Sequence, residues 1–180
     1  KGIGKAIAIK LASKETHIFI HGRDQKALNE VTNSIEKKGG DSTQIIADIS
    51  TVAGCKRIIE ATGKNPIDVL INNAAVAHVK PFEQHTLEEW NQTIAINITA
   101  PFLITQGLLP QMKKGSSIVN ILSISAKLVH ANWSSYCMSK HALRGFTESI
   151  REELRPRGIR VINVFPFSVN TLIWETIPGN

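Results

Sequence analysis

The chain has 180 residues, of which 42% are hydrophobic and 20% are charged, and its formal net charge at pH 7 is +6. This composition is that of an ordinary globular protein with a sizeable core, and no uninterrupted apolar run approaches the ~20 residues of a membrane-spanning helix. The basic residues occur singly or in pairs, without a long basic run or interleaved aromatic residues, so the positive charge does not indicate a nucleic-acid-binding protein.

Strand and helix patterns alternate along the chain, as a parallel sheet with crossover helices requires. Helices are predicted from the chain start to about residue 13 and over residues 25–37, 51–62, 87–112 and 133–154. Strands are predicted at residues 17–21, 42–47, 67–71, 116–122 and 158–164. The helix at 87–112 contains Pro101, which predicts a bend. The pattern predicts an α/β fold with a doubly wound parallel sheet.

The start of the chain has the form of a phosphate-binding turn. Lys1-Gly2-Ile3-Gly4 runs directly into an amphipathic helix, and backbone N–H groups at such a helix start attract phosphate. The first predicted strand ends in Gly22-Arg23, near where the adenosine ribose of a dinucleotide would lie. A lone glycine turn is a weak signal, so its meaning depends on the motifs that follow it.

A second group of residues indicates carbonyl chemistry. Tyr136 and Lys140 are four apart on a predicted helix and therefore share a face. The Lys140 ammonium is expected to lower the pKa of the tyrosine from its reference value near ~10, which makes the phenol a better general acid or base at neutral pH. Ser123 follows a buried strand, where open α/β sheets bind their ligands, and can hold a substrate oxygen.

These motifs, in this order and spacing, resemble those of the short-chain dehydrogenase/reductase family, in its single-domain branch. The resemblance extends from Lys1 to about Thr171. It implies a Rossmann-type sheet with helices on both faces, a nicotinamide cofactor, and hydride transfer coupled to proton transfer at a carbonyl or alcohol. The other motifs that carry it are Ala47-Asp48-Ile49-Ser50, Asn72-Asn73-Ala74-Ala75 and Ile96-Asn97-Ile98.

The resemblance also implies a role for individual residues. The expected catalytic residues are Asn97, Ser123, Tyr136 and Lys140, where Asn97 bends its helix and sustains a proton relay through water. The expected cofactor-binding residues are Lys1, Gly2, Ile3, Gly4, Arg23, Asp48, Ile49, Asn73, Ala74, Ala75, Tyr136, Lys140, Pro166, Val169 and Thr171. We expect no metal, because the histidines are scattered along the chain rather than clustered.

Cofactor choice is predicted from the charges near the expected ribose. An NAD-selective member of the family usually carries an acidic residue at the position of Gly22. Arg23 and Lys1 instead provide two cations with no competing carboxylate, so charge-assisted hydrogen bonds to a 2′-phosphate favour NADP(H) over NAD(H). The alternative for Arg23 is an ordinary surface side chain at the end of a strand.

Several of these residues have a structural alternative. Asn97 could be a buried, fully hydrogen-bonded core residue, and Asp48 could be a helix cap, although Ser50 or Thr51 fits that role better. Asn72 is expected to brace the sheet. The family usually has glycine at the position of Phe167, so this residue predicts either reduced activity or a rearranged loop.

We expect residues 1–180 to form one catalytic domain that lacks the first strand and the C-terminal elements of the family fold. The predicted function is an NADP(H)-dependent oxidoreductase acting on a small carbonyl or secondary alcohol, without nucleic-acid or membrane partners. The alternative is a non-catalytic dinucleotide-binding or scaffold relative.

Two cysteines without metal-ligand spacing favour a reducing, cytoplasmic location. Apolar stripes on the helices at 87–112 and 133–154 predict a homodimer or homotetramer, unless both stripes pack on their own sheet.

Overall fold

The computed structural model describes residues 1–169. Its helices are α1 (Gly2–Leu11), α2 (Gln25–Glu36), α3 (Val52–Ala61), α4 (Leu87–Ile94), α5 (Ala100–Leu108) and α6 (Ser134–Leu154). Its strands are β1 (His17–Gly22), β2 (Asp41–Ile46), β3 (Val69–Asn72), β4 (Ser117–Ile121) and β5 (Arg160–Val164). Each predicted element is present, and the boundaries differ by at most four residues, because hydrophobic periodicity locates an element better than it locates an end.

The strands are all parallel. β1 pairs with β2, and β3, β4 and β5 form a second group in that order. Among the described residues, β1 and β3 do not pair with each other. Phe19 of β1 and Leu70 of β3 nevertheless pack against the same two apolar clusters, so the two groups of strands share one core.

Helices cover both faces of the strands. Ile18 and Ile20 of β1 pack against buried residues of α1 and α2, whereas Phe19 packs against a cluster that contains residues of α3 and α5. Since neighbouring side chains of a strand point to opposite faces, the two helix layers lie on opposite sides of β1. This is the α/β architecture that the alternating pattern predicts, in the Rossmann-type arrangement that the family resemblance implies.

The long apolar helix is interrupted at Asn97, where the resemblance implies a bend, and close to Pro101. A π-helical segment, Ala95–Thr99, separates α4 from α5, and Pro101 lies in the first turn of α5. Proline has no N–H, so it cannot donate the α-helical hydrogen bond to the carbonyl of Asn97. The irregularity is therefore centred on Asn97 rather than on the proline, and the α-helix ends at Leu108, before the predicted residue 112.

Among the described residues, the stretch Leu87–Gln111 has the length and composition of a membrane-spanning helix, and an 18-residue window within it has a mean hydropathy of 1.3. Close to half of that window, 44%, is buried against the rest of the protein. Core helices of folded domains have the same composition, so this stretch does not by itself indicate a membrane span.

A row of amides crosses the second group of strands near its carboxyl edge. Asn72 Nδ2 donates to Asn120 Oδ1 (2.9 Å), and Asn120 Nδ2 donates to Asn163 Oδ1 (3.2 Å). Asn163 Nδ2 donates in turn to Thr147 Oγ1 of α6 (2.8 Å). Asn120 and Thr147 are fully buried, so these bonds satisfy groups that would otherwise be costly to bury. Asn72 thus braces the sheet, as predicted.

Candidate active site

A cleft of about 1240 Å³ lies along the carboxyl ends of the strands. Lys1 and Arg23 line one end, and Ser123, Tyr136 and Lys140 line the other part. Open α/β sheets bind ligands at this edge, because loops and helix N-termini converge there.

The predicted cofactor residues almost all line this cleft. Gly4 is an exception: it lies under Asn73, and a Cβ at Gly4 would come within 2.6 Å of the Asn73 side-chain nitrogen. Gly2 has a positive φ of 54°, a conformation that favours glycine. Thr171 lies outside the described residues. The cleft-lining residues from the prediction are Lys1, Gly2, Ile3, Arg23, Asp48, Ile49, Asn73, Ala74, Ala75, Tyr136, Lys140, Pro166 and Val169.

Ser123, Tyr136 and Lys140 meet at one place. Tyr136 and Lys140 lie on α6, and Ser123, which follows β4, lies close enough to the Tyr136 phenol to affect its pKa. Lys140 is 2% exposed, and its Nζ donates to the carbonyl oxygen of Ile121 (3.1 Å) and lies 5.5 Å from the centroid of the Tyr136 ring. Trp133 packs edge-on against the same ring, with 5.5 Å between the ring centroids. The phenol is therefore held in a fixed position.

The predicted lowering of the tyrosine pKa by Lys140 is wrong for this geometry. Burial raises the pKa of the Tyr136 phenol above its ordinary value of 10.0, and the hydrogen bond with Ser123 opposes that rise. Burial also lowers the pKa of Lys140 from 10.5 to about 8, since its ammonium is removed from water. Tyr136 is thus a neutral phenol at physiological pH and holds the proton that a carbonyl reduction needs.

Asn97 is a fully engaged core residue that is 1% exposed. Its Oδ1 accepts from the backbone N–H of Val76, and its Nδ2 donates to the Val76 carbonyl and to Ser139 Oγ, at 2.9 to 3.0 Å. Ser139 Oγ donates to the carbonyl of Tyr136 (2.8 Å). The side chain therefore ties the 73–77 loop to the helix that carries the tyrosine. The proton relay through Asn97 stays a prediction.

The cleft near Lys1 and Arg23 is also lined by His21, to which the sequence analysis gave no role. The ring Nε2 of His21 contacts the Ala47 carbonyl at 2.9 Å, and burial lowers the pKa of this histidine. Asp48 accepts a hydrogen bond from the backbone N–H of Ser50 (3.0 Å), the main reason that its pKa is lowered. Thr51, not Asp48, caps α3 by accepting from Gly54 N–H.

The expectation of two cations without a competing carboxylate is also wrong. Asp24 directly follows Arg23, and its Oδ2 lies 3.4 Å from Lys1 Nζ. Its other oxygen, Oδ1, accepts from the backbone N–H of Ala27 and caps α2 (3.2 Å). The cap thus holds a carboxylate beside Lys1, in a smaller recess that Lys1 shares with the cleft.

The end of the cleft beyond the tyrosine holds residues without a predicted role. Lys80 Nζ pairs with the Glu89 carboxylate (2.7 Å), and Lys80 N–H donates to the Asn132 carbonyl (3.0 Å). His78 and His130 also line this end. Contacts between loops are not readable from local periodicity, and no motif indicated them.

A family model described as short chain dehydrogenase matches residues 1–179. The chain belongs to this family. It is 34% identical over 178 residues to dehydrogenase/reductase SDR family member 4 of Homo sapiens, covering 94% of this chain and 63% of that protein. It is 32% identical over 190 residues to sepiapterin reductase of Chlorobaculum tepidum, covering 98% of this chain and 77% of that enzyme. The chain thus spans less than two thirds of the length of the human relative.

Solved structures agree with the fold. The angucycline C-6 ketoreductase LanV with bound NADP superposes with a TM-score of 0.90 at 30% identity, covering 99% of this chain and 73% of that one. A metagenomic short-chain oxidoreductase in complex with NADP superposes with a TM-score of 0.82 at 33% identity, covering 92% and 77%. The Rossmann-type fold predicted from the alternating elements is confirmed.

Proposed function

We propose that the protein is an NADP(H)-dependent oxidoreductase that interconverts a small carbonyl compound and its secondary alcohol, within one dinucleotide-binding and catalytic domain. The observation that carries this proposal is the placement of Ser123, Tyr136 and Lys140 in the same cleft as Arg23 and Lys1. Solved relatives with bound NADP support the cofactor. The residues fit such a cofactor, because Gly2 adds no side chain to the cleft at the start of α1 and the cleft has room for a dinucleotide.

When bound, NADPH supplies a hydride to the carbonyl carbon. Tyr136 donates its phenolic proton to the carbonyl oxygen as negative charge develops there, and the Ser123 hydroxyl donates a hydrogen bond to the same oxygen. The resulting phenolate is stabilised by the ammonium form of Lys140. In the oxidation direction, the same groups remove the proton from the alcohol.

Reprotonation of the tyrosine is assigned to a path along Lys140 and Asn97. Pro101 has no N–H and cannot donate the α-helical hydrogen bond to the Asn97 carbonyl, and we propose that this carbonyl binds a water of the path. The Asn97 side chain is already engaged with Val76 and Ser139, so the carbonyl is the atom proposed to act.

The decisive experiment is turnover by the full-length protein. With NADPH and a panel of ketones and aldehydes, cofactor oxidation should occur only when a carbonyl compound is present. A protein that binds NADPH tightly but oxidises it with no member of a broad panel would contradict the proposal and would favour a scaffold role.

Cofactor choice gives a second prediction. Arg23→Ala should weaken NADPH binding by about tenfold at moderate salt, because it removes a charge-assisted contact to the 2′-phosphate, while NADH affinity stays within about twofold. Titration of the intact protein with both reduced cofactors measures this effect. Equal affinities of the unaltered protein for NADPH and NADH would show that Arg23 does not contact the phosphate.

We also infer a homodimer or homotetramer formed by the exposed faces of α4, α5 and α6. Much of the predicted stripe packs in the core, as the alternative holds, but Leu87, Trp90 and Phe102 remain 68%, 37% and 42% exposed. Phe102 contacts Phe146 of α6 edge-on, so an aromatic patch spans two helices. Light scattering at micromolar concentration should give at least twice the monomer mass, and a monomer would exclude this assembly.

For a small-molecule oxidoreductase with two free, buried cysteines in its described part, we propose a cytoplasmic location.

A further inference from the structure

The ribose end of the cleft is not a purely cationic surface. Lys1 Nζ lies 3.4 Å from Asp24 Oδ2, and the two side chains are 61% and 50% exposed. The hydrogen bond from Ala27 N–H, followed by the contact with Lys1, lowers the pKa of the Asp24 carboxyl. The group therefore carries a negative charge throughout the neutral pH range.

Lys1 belongs to two adjoining cavities. It lines the main cleft beside Arg23, and it also lines a smaller recess that contains Asp24, Lys5 and Glu30. In this recess Lys5 is paired with Glu30 (3.2 Å) and Lys1 with Asp24, so each of these two lysines has its own carboxylate. A phosphate entering the main cleft therefore competes with Asp24 for the Lys1 ammonium.

We propose that Asp24 limits the discrimination between NADPH and NADH, because it holds Lys1, which also lines the main cleft. The proposal rests on the proposed function, in which Arg23 and Lys1 bind that phosphate. The phosphate carries nearly two negative charges at neutral pH. Asp24 therefore occupies a cation that would attract the phosphate, and its negative charge in the adjoining recess opposes phosphate binding. NADH has no phosphate at this position and is unaffected by either interaction.

The two oxygens of Asp24 have separate tasks, which allows a clean substitution. Oδ1 caps α2, and Oδ2 faces Lys1. Asp24→Asn keeps an oxygen for the cap but replaces the acceptor toward Lys1 by an uncharged amide, since asparagine is as good an N-cap as aspartate. Asp24→Ser is a second variant that keeps a capping oxygen and removes the charge. Glu30→Gln is the matched control, because it removes a carboxylate from the same recess without contacting Lys1 in this structure.

The test is titration of the full-length protein and its variants with NADPH and NADH at low and at moderate salt. Asp24→Asn and Asp24→Ser should each tighten NADPH binding by about threefold to tenfold at low salt, with a smaller gain at moderate salt. NADH affinity should change by less than about twofold. Glu30→Gln should change neither affinity by more than about twofold.

The outcomes separate this inference from the proposed function. If Arg23→Ala weakens NADPH binding but the two Asp24 variants do not tighten it, the role of Asp24 is refuted while the cofactor preference stands. Equal tightening of NADPH and NADH would also refute it, because the effect would not depend on the phosphate. If Arg23→Ala leaves NADPH affinity unchanged, the proposed cofactor contact itself fails.

Discussion

Tyr136→Phe should reduce the rate of carbonyl reduction by roughly 10²- to 10⁴-fold, the usual contribution of a positioned general acid. The substitution removes only the phenolic oxygen. The ring keeps its edge-on contact with Trp133, so the shape of the cleft should persist. Because burial raises the pKa of Tyr136, the unaltered residue is protonated at neutral pH and holds its proton at the start of the reaction.

The measurement pairs steady-state reduction with a titration of NADPH. The variant should bind the cofactor within about twofold of the unaltered protein and should keep its melting temperature. Ser123→Ala, which removes a hydrogen bond to the substrate oxygen but leaves the proton donor, should show a smaller loss, of roughly 10- to 10³-fold. A Tyr136→Phe variant with normal turnover would remove the tyrosine from the mechanism and would assign the proton to another group.

The fold could be predicted because its signals are local. Alternating apolar runs located the five described strands, and the Tyr136–Lys140 spacing placed both side chains on one face of α6. The bend of the long helix was placed near Pro101 for a sound reason, the missing N–H of proline. The structure centres the irregularity on Ala95–Thr99, because the hydrogen bond that proline cannot donate belongs to the carbonyl of Asn97, the residue at which the resemblance also implied a bend.

The electrostatics of the site could not be predicted in the same way. Spacing shows that Lys140 and Tyr136 are neighbours, but it does not show how much water each has lost, and burial decides the direction of both pKa shifts. The pairing of Asp24 with Lys1 joins the start of α1 to the start of α2, so it depends on how the helices pack rather than on local sequence. Close contacts between backbone segments could not be predicted from the sequence either. Gly54 is one example, because a Cβ at this position would lie 1.9 Å from the Asp48 carbonyl oxygen.

The row of amides across β3, β4 and β5 could be predicted in part, unlike the electrostatics of the site. Asn72, Asn120 and Asn163 each occupy one of the last two positions of an apolar strand, and a polar residue repeated at this place is a signal. The register of the paired strands places Asn72 next to Asn120 and Asn120 next to Asn163. The sequence could therefore have indicated the row, whereas its attachment to Thr147 required the packing of α6 to be known.

Lys140→Met should abolish efficient turnover and yet stabilise the protein at neutral pH. Loss of the ammonium should lower the reduction rate by about 10²-fold or more, because the phenolate then forms without a nearby positive charge. Stability should change in the opposite direction. Burial lowers the pKa of Lys140 from 10.5 to about 8, so below pH 8 the folded protein holds a charge that it solvates poorly.

The dependence on pH follows from the protons bound in each state. Between about pH 8 and 10.5 the unfolded chain keeps the Lys140 proton and the folded protein has lost it, so stability rises with pH across this range. The cost of burial is complete below pH 8 and disappears above 10.5. Methionine avoids this cost but forfeits the hydrogen bond to the Ile121 carbonyl, so the net gain in free energy of unfolding at pH 7 should be roughly 2 kcal/mol.

Denaturant unfolding of the cofactor-free variants at pH 7 and at pH 10.5 measures the effect. The advantage of Lys140→Met should be present at pH 7 and should shrink or reverse at pH 10.5. Lys56→Met, at an exposed position of α3, is the control, and the change in its stability should not differ between the two pH values. Lower stability of Lys140→Met at both pH values would mean that the lysine is held at little cost. A gain in stability together with a loss of turnover would instead show that this buried charge is retained for catalysis, at the expense of the fold.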